Sequence, residues 1–168
     1  MRLTTVSVLM AALVLVPGLR AHCEIPCGIF HDDLRFSLLD EHIQTIEKSQ
    51  ASIVDLGKAP VRDDNQTVRW VTNKDTHADY IAQIVTEYFL RQRIKPLAAD
   101  ASRAETERYG RMLAALHELL VSSMKAKQTV DQTVVGQMRE SLARFRRLYE
   151  MPAAPEPRHE WRDRGHRH

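Results

Sequence analysis

Apolar residues recur at steps of three and four along most of this chain, with polar residues between them, and that spacing predicts helices. Asp32 and Asp33 can cap the first helix and place negative charge at its positive end. Leu34, Leu38, Leu39, Ile43, Ile46, Ile53 and Leu56 then supply its apolar stripe, and Gly57 and Pro60 mark its stop. Arg62 to Gln66 reads as a polar loop. A second helix is predicted from about Thr67 to Ile94, with Val71, Ile81, Ile84, Val85, Tyr88 and Phe89 inward. It ends at Lys95-Pro96, because the residue before a proline avoids the helical region. The third runs from about Ser102 to Lys127 on Met112, Leu113, Leu116, Leu119, Leu120 and Met124. The fourth runs from about Val130 to Glu150 on Val134, Val135, Met138, Leu142, Phe145 and Leu148, and Pro152 closes it.

Four amphipathic helices on short connections predict an all-α, up-down-up-down four-helix bundle, since short loops force antiparallel neighbours. Composition agrees: the 168 residues are 43% hydrophobic and 27% charged, glycine is scarce at 6, and aromatic residues make up 6%. There is no internal repeat, no Gly-rich phosphate loop and no G-x-S-x-G or H-E-x-x-H motif. These absences leave the bundle itself without a familiar catalytic signature.

The two ends depart from the helical pattern. Met1-Arg2, an apolar run from Leu3 to Val16, a Pro17-Gly18 break and Ala21 have the layout of a secretory signal peptide over residues 1–21. The run is short for a bilayer span, which needs ~20 residues; an uncleaved anchor is the alternative. The expectation is an exported protein, periplasmic or extracellular, with no membrane attachment after cleavage. Removing Arg2 and Arg20 takes two of the 24 basic residues and leaves 22 against 22 acidic ones. A chain that is neutral and lacks a basic patch has no footprint for nucleic acid. Residues 152–168 form a tail with Pro152, Pro155 and Pro157, alternating charges, and His159, His166 and His168. It reads as an unstructured end, with loose metal scavenging as its functional alternative.

Cleavage after Ala21 would make His22-Cys23-Glu24-Ile25-Pro26-Cys27-Gly28 the mature N-terminus. His22 would then offer an α-amine and an imidazole, Cys23 a thiolate and its own amide nitrogen, and Cys27 a second thiolate. Pro26 restricts the backbone and helps turn the chain back, and Gly28 lets it leave the turn. A metal taking amine, amide and two sulfurs in one plane, with the imidazole above, would be Ni(II) or Cu(II) rather than tetrahedral zinc. The sulfurs favour a redox role. A Cys23–Cys27 disulfide is the competing reading for an exported protein, although so small a loop gains less than the ~3 kcal/mol of a 15-residue one.

The pattern His22-Cys23-x-x-Pro26-Cys27-Gly28 resembles the nickel hook of the nickel superoxide dismutases, whose mature N-terminus reads H-C-x-x-P-C-G-x-Y and leads into a four-helix bundle. Asn65-Gln66, Val68-Arg69-Trp70-Val71, Asn73-Lys74 and Tyr88-Phe89 through Lys95-Pro96 resemble the second helix and its exit in that family. The resemblance covers residues 22–151, as a hook over 22–30 and a bundle over 32–151. It implies that His22, Cys23 and Cys27 are the nickel ligands and catalytic residues, with one ion per subunit cycling between Ni(II) and Ni(III). Superoxide would be the substrate, dioxygen and hydrogen peroxide the products, and a homohexamer the assembly. It further implies roles for Pro26, Gly28 and Phe30 in hook geometry and substrate access. Phe30 stands where the family usually has tyrosine, keeping the ring without its hydroxyl. His77 stands where some members have an arginine that positions the hook, while His31 and His42 read as solvated or capping. The rival functions are a metal-sequestering bundle using the same hook without turnover, which Phe30 favours, and a structural bundle closed by the disulfide.

Overall fold

A computed structural model describes residues 30–151, which form four helices and, among the described residues, no strand. We label them α1 (Asp32–Lys58), α2 (Asp64–Gln83, running on as a π-helical stretch Ile84–Arg93), α3 (Arg103–Gln128) and α4 (Gln132–Glu150). α1 packs on α2 and α4, and α3 packs on α2 and α4, so that each helix touches its two neighbours around a closed ring. This is the up-down-up-down bundle that short connections predict. No described helix is long and apolar enough to cross a membrane.

Local chemistry sets the helix starts. Asp63 accepts the Gln66 amide at 2.9 Å, so the first turn of α2 begins inside what reads as polar loop. Ser102 and Glu105 make a reciprocal capping box: the Ser102 amide donates to the Glu105 carboxylate at 2.7 Å, and the Glu105 amide donates to the Ser102 hydroxyl at 3.3 Å. Asp131 accepts the Thr133 amide at 2.9 Å and moves the start of α4 to Gln132. At its other end α1 continues through Gly57 to Lys58, and the Ala59 amide then closes on the Leu56 carbonyl at 3.2 Å.

The core corrects three inward assignments. Leu34 is 52% exposed, Met124 52% and Val71 37%, while Phe36 is buried. The buried positions of α1 include Phe36, Leu39, Ile43, Ile46 and Gln50, a strict alternation of three and four. Leu34 lies two residues off that row and turns outward. The equivalent row of α2 begins at Lys74 and continues through Ala78, Ile81 and Val85. The row therefore starts with a charged residue that hydrophobicity alone passes over.

The core has two unlike ends. At one, Phe36, Phe89 and Phe145 pack with ring centroids 4.9–5.7 Å apart, and Tyr149 joins them 5.5–5.8 Å away. Tilted and edge-on pairs of this kind add about 0.5–1.5 kcal/mol each beyond area burial. At the other end the buried residues are Ser49, Gln50, Lys74, Ser122, Ser123 and Ala126. There the Lys74 ammonium donates to the carbonyls of Ala126 and Lys127 at 2.6 Å each and to Asp75 Oδ1 at 3.0 Å. It caps the C-terminus of α3, where a helix leaves carbonyls unpaired and carries partial negative charge.

Candidate functional site

His22, Cys23, Pro26, Cys27 and Gly28 lie outside the described residues, as do the expected cleavage edge at Ala21 and the histidines of the tail. Phe30 is the first residue described, and it is 38% exposed. Among the described residues no three His, Cys, Asp or Glu side chains converge as a metal centre.

Where the chain enters the bundle, Asp32 is the acceptor of a four-bond cluster. Tyr88 Oη donates to Oδ1 at 2.6 Å, Arg93 Nε to Oδ1 at 2.9 Å, Arg93 Nη2 to Oδ2 at 2.6 Å and Tyr149 Oη to Oδ2 at 2.8 Å. One carboxylate thus ties the start of α1 to the π-helical stretch and to the end of α4. Partial burial pushes the Asp32 carboxyl upward, but the Arg93 and tyrosine hydrogen bonds outweigh it and hold the group below its ordinary value. The same contact makes Tyr149 a poorer acid: burial first, then its bond to the Asp32 carboxylate, push it up to about 12. Arg35 stacks over the Tyr88 ring at 4.9 Å.

The π-helical stretch makes this cluster geometrically reachable. Its widened turn is closed by the Ile94 amide on the Phe89 carbonyl at 2.8 Å, five residues back. The Gln92 side chain donates to the Glu87 carbonyl at 2.9 Å. In an α-helix of 3.6 residues per turn, Tyr88 and Arg93 would face directions about 140° apart. With i-to-i+5 bonding that angle narrows, and both converge on Asp32. Such insertions are rare and frequently mark functional segments. Nothing in the hydrophobic pattern announces this one, although a Tyr and an Arg five apart just before a Lys-Pro stop are its visible trace.

A second polar cluster sits on the seam between α1 and α2. His42 Nδ1 and His77 Nδ1 are 3.0 Å apart, and their rings meet edge to face with centroids 4.9 Å apart. Tyr80 lies against both, 5.3 Å from His42 and 5.6 Å from His77. Both histidines are half-buried. Burial depresses both imidazoles; the His77 neighbour adds to the effect at His42, and Glu41 opposes it at each. His42, expected to be solvated or capping, is half-buried and pairs with His77 instead of capping a helix end. His31 is exposed. His77, expected as a polar contact for the hook, has His42 as its hydrogen-bond partner.

No curated protein and no solved structure matches the chain. Its sequence does match the nickel-containing superoxide dismutase family, over residues 18–152, a span that includes the His22–Gly28 stretch and all four helices. The fold is the one that the resemblance implied. The chain belongs to the nickel-containing superoxide dismutases, oxidoreductases that take nickel as cofactor and superoxide as substrate.

Proposed function

We propose that His22, Cys23 and Cys27 hold the nickel, one ion per subunit, and that the mature chain begins at His22. Support comes from the family match, which runs across these residues, and from the chemistry of the donors. The His22 amine and imidazole, the Cys23 amidate and thiolate and the Cys27 thiolate would make a soft nitrogen and sulfur donor set that suits nickel. When bound there, nickel supplies the one-electron redox chemistry that turns two superoxide ions and two protons into dioxygen and hydrogen peroxide.

The chain's own residues do the rest. The His22 amine ligates only when it is terminal and deprotonated; an α-amine ordinarily loses its proton near pH ~7.7–8.0. Removal of residues 1–21 and assembly of the metal centre are then one event. Pro26 would restrict the backbone before Cys27, and Gly28 would allow the chain to turn away from it. Phe30 would provide an apolar ring beside the route of approach and has no hydroxyl to donate a proton there. Export places this activity in the periplasm or outside the cell, where superoxide that crosses membranes poorly would be met. We place the subunits in a homohexamer; Val71 and Val130, which flank one surface groove and are each 37% exposed, offer apolar surface for copies to bury.

The experiment is to load the mature chain with nickel and follow superoxide decay. Dismutation above that of free nickel is expected. It should vanish, together with nickel binding, when one extra residue precedes His22. A nickel-loaded mature chain no faster than free metal would overturn the assignment, as would full activity in the extended chain.

A further inference from the structure

We propose that His42 and His77 form a second metal site, taking a divalent first-row transition cation through their two Nδ1 atoms. The spacing carries this. Metal–imidazole bonds are about 2.0–2.1 Å long, so donors 3.0 Å apart subtend about 94° at a shared ion. That is the angle between adjacent positions of a square or octahedral ion; a tetrahedral ion would want the nitrogens about 0.3 Å further apart. The site therefore suits Cu(II) or Ni(II) better than Zn(II), and the general affinity order places Cu(II) first.

The surroundings fit such an ion. Both rings are half-buried rather than sealed, so a cation can reach them from solvent. Tyr80 packs against both rings, 5.3 Å from His42 and 5.6 Å from His77. Glu41 adds negative charge within electrostatic reach of each. Burial favours the neutral imidazole, which is the ligating form. In the metal-free pair one Nδ1 donates to the other. Binding moves that one proton to the Nε2 of its own ring and turns both Nδ1 lone pairs onto the ion, with no net change in protonation. The remaining positions are filled by water. The donors of this pair are the imidazoles of His42 and His77 and include none of His22, Cys23 and Cys27.

The test is equilibrium dialysis of the intact, nickel-loaded protein against Cu2+, with electron paramagnetic resonance of the bound copper and nickel content measured alongside. The parent should take up one copper with hyperfine coupling to two nitrogens. His42→Gln or His77→Gln should each weaken that uptake at least tenfold, while a His159→Gln, His166→Gln, His168→Gln variant should keep it. Equal copper uptake by the parent and both single variants would overturn the site and leave the pair as a hydrogen bond alone. Nuclear magnetic resonance of the unsubstituted protein decides the matter without any variant. Substoichiometric Cu2+ should broaden the ring signals of His42 and His77 together, and sharp signals for both would overturn the proposal.

Discussion

Replacing Lys74 with methionine would keep the stem of the side chain in the core and delete its ammonium. Lys74 is 2% exposed, and its Nζ donates to two carbonyls that end α3 and to Asp75. The substitution removes two charge-assisted bonds of 2.6 Å, each of a kind worth about 1.5–3 kcal/mol net. The Ala126 contact is buried, so that carbonyl is stranded; the Lys127 contact is only part-buried, and water can replace it. Against this, an ammonium need no longer be taken out of water, which returns part of the loss. The balance is a destabilisation of about 2–3 kcal/mol, one stranded carbonyl plus the lost attraction to the helix terminus. Urea denaturation followed by circular dichroism would show a lower midpoint at unchanged slope, and the melting temperature should fall by roughly 10 °C. Lys127→Ala, which removes an exposed ion pair with Asp79, should change the midpoint far less. If Lys74→Met proved as stable as the parent, the ammonium would not be what closes this end of the bundle.

Three further outcomes can be measured. Asp32→Asn should cost about 2 kcal/mol by leaving Arg93 and two tyrosine hydroxyls without their charged acceptor. Because the Asp32 carboxyl is held below the ordinary value of 3.8 when folded, its contribution is present above that pH and is lost as pH falls through the lower folded value; the variant should show a shallower acid limb in denaturation curves between about pH 2 and 5. His42 and His77 are depressed below 6.5 in the fold, so the unfolded protein binds more protons there and stability should decline as pH falls below that value. His42→Gln with His77→Gln should flatten that slope; a slope unchanged in the double variant would show that other groups set it. Phe30→Tyr should raise superoxide turnover at unchanged nickel content, since it restores a hydrogen-bond donor beside the proposed hook, and an identical rate would show that the hydroxyl does not take part.

The four helices, their order and most of the core were legible in the sequence, because burial in a bundle demands apolar residues every three to four positions and Leu39, Ile43, Leu116, Leu119 and Phe145 meet that demand. The proposed hook at His22, Cys23 and Cys27 is a reading the sequence alone can carry, because donors on neighbouring residues need no fold to bring them together. Buried polar groups were not legible. Lys74 sits on the core row of α2, yet its burial depends on carbonyls 52 and 53 residues away. The Asp32 cluster draws on three elements and on a π-helical turn that realigns Tyr88 with Arg93. The contact of His42 with His77 depends on the relative register of α1 and α2. Hydrophobic periodicity reports which face a residue occupies, but a hydrogen bond depends on which two faces meet and at what height, and those are decided only when the helices pack.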